Sequence, residues 1–491
     1  MKFRLLVFIA LTLIALSINA AFSGQNAEIP STDAGRLISL MMKALNSGSE
    51  DKWNEFIDKH WIKAPDEDTR DRRLNFFRIV YNDTKGIQLH SIESADENSI
   101  TVLVKPDKGT RFEWLNLTVM VAEEDKDKVG GASMRPGTDP QFRVPDKKFS
   151  KSEMIEFLDK YIDDLVAEDR FSGAVLIARD GKPFYKRVEG VSSKRYQIPN
   201  RLDTKFNLGS MNKMFTGTAI MQLVEQGKID LNDKVGKYLP DIPRKEIAEK
   251  VTIHHLLSHT SGMQDYWDEM FDTTFWELKT VEQLSSLIFD DTLLFEPGSD
   301  FHYSNSGPIV LGLIIEKVTG QDYYDYIRGN IYEPAGMENS GCFPVDRPIP
   351  NLAIGYTKMD YNGRVLPEGV WHNNLFMHAA KGGPAGGGYS TVEDLLAFDQ
   401  ALRKGKLLNK ESFELMTTGK TDREPGVKYA YLFMDKDVNG QRIIGHGGGA
   451  PGINAMLEMY LDSGYTVAVM SNYDRGASPI AEKARELLTR K

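Results

Sequence analysis

Three prolines and a glycine fall between Met134 and Lys148, in the run Met-Arg-Pro-Gly-Thr-Asp-Pro-Gln-Phe-Arg-Val-Pro-Asp-Lys-Lys. Proline lacks an amide hydrogen and fixes its own backbone, so this stretch cannot hold a helix or a central strand. It divides the chain. A small domain is expected over 21–135, a linker over 136–148, and a larger domain over 149–491.

Upstream of the joint, Leu37, Met41, Ala44 and Leu45 recur at helical spacing, and Asn46-Ser47-Gly48 stops them. Trp53, Phe56, Ile57 and Trp61 predict a second helix. The period then changes. Ile100, Val102 and Val104 alternate, as do Leu115, Leu117, Val119 and Val121, which is strand spacing. Helices followed by strands predict a small α+β domain. Before it, Lys2 and Arg4 precede an almost wholly apolar run, Leu5 to Leu16, and Ile18-Asn19-Ala20-Ala21 offers a cleavage site. Residues 1–20 are expected to be an export signal, with the mature protein starting near Ala21 or Phe22; an uncleaved anchor is the alternative. The run is shorter than the ~20 residues that span a bilayer. No later stretch is long and apolar enough, so no integral membrane segment is expected after cleavage.

Charge and cysteine content narrow the function. Asp plus Glu number 70 against 60 Lys plus Arg, a formal net charge of −10. Phosphate backbones need clustered positive charge, so a nucleic-acid partner is not expected. The single cysteine, Cys342, cannot close an intramolecular disulfide or build a multi-thiolate zinc site. His255 and His259 are four apart but lack the intervening glutamate of a metalloprotease helix. No complete phosphate-cradling loop is present, and neither metal nor cofactor is expected.

Downstream, Gly173 to Ala178, a turn at Asp180-Gly181, and Phe184 to Val188 predict a hairpin. Ala455 to Leu461, Asp462-Ser463-Gly464 and Tyr465 to Met470 predict another, and a last helix is expected after Ser478-Pro479. Helix and loop fill the space between. Strands from the two ends are therefore expected to pair in one antiparallel sheet with an inserted helical region.

Three short motifs in this domain carry chemistry. In Ser210-Met211-Asn212-Lys213 the serine and lysine share one side of a helix start, one turn apart. A serine hydroxyl is a weak nucleophile and needs a base; a lysine serves if burial lowers its proton affinity. The spacing alone is weak: an N-cap serine with a surface lysine looks the same, and Ser49-Glu50-Asp51-Lys52 repeats it in a polar stretch. Tyr303-Ser304-Asn305 follows a Pro297-Gly298 turn, and a tyrosine near a lysine favours phenolate character, a second candidate base. A core tyrosine beside a capping asparagine is the structural alternative. Gly445-His446-Gly447-Gly448-Gly449 follows a strand, and its glycines admit a ligand close to the backbone, whose amides could form an oxyanion hole. A flexible glycine turn with an incidental histidine is the structural alternative.

Taken together and in this order, the motifs resemble the serine beta-lactamase and penicillin-binding-protein superfamily, in its class C-like branch of esterases and D-stereospecific peptidases. Leu256-Leu257-Ser258-His259-Thr260-Ser261-Gly262, Glu296-Pro297-Gly298 and Gly386-Gly387-Gly388-Tyr389-Ser390-Thr391 share in the likeness, which runs from about residue 146 to the end. The upstream domain is similar to NTF2-like accessory domains. The resemblance implies a mixed α/β domain, an antiparallel sheet flanked by helices with a helical lobe. It implies Ser210 as acylated nucleophile, Lys213 as its proton acceptor, and Tyr303 as base and then acid. It implies Asn305 orienting Lys213 and substrate, and the amides of Ser210 and Gly449 as oxyanion hole. His446 to Gly448 would lie beside the acyl group. The expected substrate is a small ester or peptide, the expected site a bacterial periplasm or the medium. The small domain is expected to support, position or pair the catalytic one.

One departure bears on substrate. Penicillin-recognising members more often carry Lys-Thr-Gly where this chain has His446-Gly447-Gly448. A lysine meets a substrate carboxylate at neutral pH; a histidine is mostly neutral there. Weak or no beta-lactam hydrolysis is expected. A non-catalytic binding or sensor protein on the same scaffold is the rival reading. Trp267, Trp371 and Phe376 are the candidate apolar wall residues.

Overall fold

The computed structural model describes residues 28–108, 114–266, 274–288, 292–360 and 370–490. The expected export signal and Trp267 lie outside the described residues. The chain divides into two compact units between Arg143 and Val144, within the proline-rich stretch.

The first unit lays helices α1 (Asp33–Asn46), α2 (Glu50–His60) and α3 (Glu67–Thr84) on an antiparallel meander. The meander runs β1 (Ile87–Ala95), β2 (Ser99–Pro106), β3 (Leu115–Val121) and β4 (Val129–Pro136). Apolar spacing predicts α1 and α2 but not α3, whose sequence is dominated by charged residues. Its helix is nonetheless signalled locally: the Asp66 carboxylate caps it by accepting from the Thr69 amide at 2.7 Å. Leu74, Phe77 and Val80 then bury one face. Pro136 closes β4, an edge strand, where a missing amide donor is tolerated.

The second unit is built on eight antiparallel strands. Two chain segments explain the order. The N-terminal hairpin is β5 (Gly173–Arg179) and β6 (Lys182–Glu189), turned through Asp180 and Gly181. Both turn residues have positive φ, 51° and 75°, which suits a two-residue turn matched to the strand twist. The C-terminal strands are β7 (Thr421–Glu424), β8 (Val427–Tyr429), β9 (Met434–Val438), β10 (Gln441–Ala450), β11 (Ile453–Tyr460) and β12 (Tyr465–Ser471). They pair in chain order, and β12 closes on β5 from Tyr465 opposite Arg179 to Ser471 opposite Gly173. Strands from the two ends of the unit thus share one antiparallel sheet, as the two hairpins require.

Both faces of this sheet are covered. Along β5, Ala174, Leu176 and Ala178 face one core while Val175 and Ile177 face the other, so the strand is apolar throughout. One face carries α4 (Lys151–Ala167) and the C-terminal helix Ala477–Thr489. The other carries the helical lobe, including α5 (Lys213–Glu225), α6 (Ser306–Thr319) and α7 (Val392–Arg403). Fully burying one such Leu, Ile, Val or Phe contributes ~1.5–3 kcal/mol, so this double-faced core stabilises the fold without disulfides. The C-terminal helix begins at Ala477, ahead of the expected start after Ser478-Pro479. Its first amides, of Ala477 and Ser478, donate to the Asn454 side-chain carbonyl at 2.8 and 2.7 Å. Pro479 falls in the first turn, where no amide is needed.

Candidate active site

The turn that carries Ser210 is fixed by backbone bonds from distant sequence. Phe206 and Asn207 pair with Ser390 and Tyr389. The Leu208 amide donates to Gly388 at 2.7 Å, and the Asn212 side chain donates to the Gly383 carbonyl at 2.7 Å. A single 3-10 turn, Gly209–Asn212, then feeds α5. Ser210 therefore stands at the helix entrance with Lys213 one turn on.

Lys213 is fully buried. Its Nζ lies 3.2 Å from Ser210 Oγ and 2.5 Å from both Asn305 Oδ1 and the Ala385 carbonyl. Burial is the largest influence on it and pulls its proton affinity down to about 7, with Asp265 opposing. The second Ser-x-x-Lys in the chain makes the contrast. Lys52 is exposed, donates to Glu55 at 2.8 Å, and has its pKa raised by that bond. Identical spacing gives a solvated cation in one place and a candidate base in the other; only burial separates them.

The second motif arrives on a loop laced to the 256–262 segment. The Gly298 amide donates to Thr260 O at 2.8 Å and the His302 amide to His259 O at 2.9 Å. The Tyr303 ring then packs against His259 at 4.4 Å between centroids, and Lys213 Nζ lies 4.9 Å from the Tyr303 centroid. The expected phenolate character is not what this geometry favours. Burial pushes the Tyr303 hydroxyl well above its ordinary value, and the nearby Ser210 side chain only partly offsets it. The lysine meant to stabilise a phenolate is itself buried, and burial favours its neutral form. The lowered proton affinity sits on Lys213, not on Tyr303. Asn305 completes the motif: its Oδ1 accepts from Lys213 while its Nδ2 donates to Asp265 Oδ2 at 2.9 Å.

The third motif lies on β10. Its pairing with β9 stops at Gly445, whereas pairing with β11 continues to Ala450. Residues beyond Gly445 thus present a strand edge to the turn that carries Ser210. A methyl on Gly448 would sit 1.8 Å from Leu208 O and 3.1 Å from Ser210 N; one on Gly209 would sit 2.9 Å from Gly449 N. The Ser210 and Gly449 amides therefore belong to one tight backbone contact. His446 is held by a directed chain. The Ser304 amide donates to His259 Nδ1, so His259 Nε2 carries the hydrogen and donates to the Tyr429 oxygen at 3.0 Å. Tyr429 donates in turn to His446 Nε2 at 3.0 Å, and His446 Nδ1 donates to Gly447 O. Both imidazoles must be neutral for this. Burial first, then the nearby Lys213, pushes His446 down to about 3 and His259 well below its ordinary value.

Ser210, Lys213, Tyr303 and Asn305 are thus joined by direct contacts, and His446 joins through Tyr429. Sequence reasoning missed three contributors. Asp265 stands three residues past Gly262 in a loop already singled out; its carboxylate was the available signal. Tyr429 and the Ala385 carbonyl gave none. Of the proposed wall residues, Trp371 stacks on Tyr473 at 4.3 Å and donates to Asp169 at 2.6 Å, which commits its ring there. Phe376 is 76% exposed.

Residues 158–490 match the family described as Beta-lactamase. A penicillin-binding protein of Bacillus subtilis is 29% identical over 333 residues, covering 66% of this chain and 72% of that protein. Among solved structures, a penicillin binding protein from Bacillus halodurans superposes with a TM-score of 0.61 at 31% identity, covering 67% of this chain and 98% of that one. A D-stereospecific amidohydrolase from Streptomyces sp. superposes with a TM-score of 0.57 at 28% identity, covering 67% and 97%.

Proposed function

Because the chain belongs to the beta-lactamase family of serine hydrolases, we propose that it cleaves a small ester or peptide-like amide through an acyl-enzyme on Ser210. The observation that carries this reading is the fully buried Lys213 amine, 3.2 Å from Ser210 Oγ and otherwise bound only to oxygen acceptors. Neutral Lys213 takes the Ser210 proton as Oγ attacks the acyl carbon. The amides of Ser210 and Gly449 hold the developing oxyanion. Tyr303, kept protonated by burial, gives its proton to the leaving group and recovers one from the Lys213 ammonium. Water then enters by the reverse path. Likeness to a D-stereospecific amidohydrolase supports including D-amino-acid amides among the donors tested. The test is intact-protein mass spectrometry after rapid quench with a short p-nitrophenyl ester and with a D-amino-acid amide. An adduct of one acyl group supports the reading; turnover without any adduct on Ser210 sinks it.

The N-terminal run supports export of the mature protein, and the helix-then-sheet order of the first unit supports an NTF2-like accessory role.

The pH dependence follows from the base. Lys213 accepts a proton only when neutral, and its pKa of about 7 lies far below the ordinary lysine value. The ratio kcat/KM is therefore expected to rise with pH through about 7 and then level, with Tyr303 still protonated. A pH–rate profile with no inflection between pH 6 and 8 would contradict this (the window is roughly one unit either side of the base).

His446 also limits the substrate. It is neutral, and both ring nitrogens are occupied within the protein. It offers no cation to a substrate carboxylate. Nitrocefin turnover is expected to be slow or absent in a spectrophotometric assay; efficient turnover lost in Ser210→Ala would overturn that.

A further inference from the structure

Behind the proposed nucleophile and base stands a carboxylate that no motif contains. Asp265 is half-buried on the loop that follows the 256–262 segment. Its Oδ2 accepts from Asn305 Nδ2 at 2.9 Å, and the other end of the same amide, Oδ1, accepts from Lys213 Nζ at 2.5 Å. The Tyr266 amide donates to Asp265 Oδ1 at 3.0 Å, which fixes the carboxylate in turn. An asparagine amide can flip between two orientations of nearly equal shape. A carboxylate can only accept, so Asp265 compels Asn305 to turn its nitrogen away from Lys213 and its oxygen toward it. The chain Asp265–Asn305–Lys213–Ser210 has one sense.

We propose that Asp265 is a positioning residue for the hydrolytic site: it locks the Asn305 amide so that Lys213 is aimed at Ser210, and it sets a negative charge two hydrogen bonds behind the Lys213 amine. The inference rests on the acyl-enzyme reading above. The side chains facing Lys213 are Asp265, the Tyr303 ring, and the imidazoles of His259 and His446. The two histidines are neutral and Tyr303 is protonated. Among the described residues, Asp265 is therefore the charged group facing Lys213. Its negative charge favours the ammonium form and works against burial, which is the direction found for Lys213. Burial raises the Asp265 carboxyl itself, with Tyr266, Lys213 and Asn305 opposing.

The sign of the test follows. Removing the charge leaves burial unopposed, so Lys213 loses its proton more easily and becomes a base at lower pH. In Asp265→Asn the acid limb of kcat/KM is expected to move down by about half a pH unit to one unit. The freed amide of Asn305 is expected to lower the plateau by about tenfold through mispositioning. Asp265→Glu keeps the charge and is expected to leave the limb in place while lowering the plateau. A merely structural role would lower activity at every pH without moving the limb. Asp265→Ser is the second charge-free variant, read in the same way if the asparagine variant does not fold. All variants are measured alongside covalent labelling of Ser210 by the p-nitrophenyl ester. If the wild type is labelled and neither charge-free variant moves the limb, the role of Asp265 is overturned. If the wild type is not labelled, the acyl-enzyme reading itself has failed, which is a separate result.

Discussion

Ser210→Ala is expected to reduce ester hydrolysis by about 10⁴-fold or more and to abolish the acyl adduct, while leaving the thermal unfolding temperature nearly unchanged. The loss is large because, among the described residues, no second nucleophile is directed into the site. Lys213 is directed at Ser210 Oγ, the Asn305 carbonyl and the Ala385 carbonyl, and the Tyr303 hydroxyl is held protonated. Fold stability should hardly respond. Ser210 is only partly buried, and alanine is a good residue at a helix entrance of this kind. Steady-state kinetics and a melting curve on one preparation check both halves. A variant that retains more than a few per cent of wild-type kcat would remove Ser210 from the mechanism.

The second large effect comes from one hydrogen atom. Gly448→Ala would place a methyl 1.8 Å from the Leu208 carbonyl oxygen, 2.8 Å from its carbon and 3.1 Å from Ser210 N. These are backbone atoms, not the yielding end of a side chain. The strand edge must therefore draw back from the nucleophile turn. A displacement of about 1 Å at a catalytic contact costs on the order of 10²-fold in rate, and overpacking of this kind costs about 1–3 kcal/mol of stability. The adjacent position supplies the control. A methyl on Gly449 would meet only Ile453 O, at 3.9 Å, which is ordinary contact. Gly449→Ala is therefore expected to keep its stability and most of its activity. Equal activity in the two alanine variants, measured as kcat/KM, would refute the close approach of β10 to the nucleophile turn.

The sequence carried the local features well because they depend on near neighbours. The Asp180-Gly181 turn, the apolar run of β5 and the one-turn offset of Ser210 from Lys213 each need only a few residues to declare themselves. The helix α3 was lost because its buried residues are sparse among charges, although its capping aspartate was in plain view. The expected phenolate character of Tyr303 runs against its burial for a different reason. Favouring Tyr303 as phenolate assumed a charged lysine beside it, and whether a lysine stays charged depends on how much water it keeps. Ser49-x-x-Lys52 and Ser210-x-x-Lys213 show that the same four-residue spacing leaves this open.

The amino-acid sequence by itself determined the two-part organisation, the antiparallel sheet closed by strands from both ends of the larger unit, and the four side chains that meet at the site. Those follow from proline chemistry, side-chain period and residue type. Tertiary structure alone decided that the lowered proton affinity falls on Lys213, how the neutral histidines are tied through Tyr429, and that Asp265 stands behind Asn305. Each of these rests on desolvation or on a hydrogen bond between residues far apart in the chain: 92 positions from Lys213 to Asn305, 172 from Lys213 to Ala385. Water exclusion is a property of everything packed around a group, and no local pattern records it.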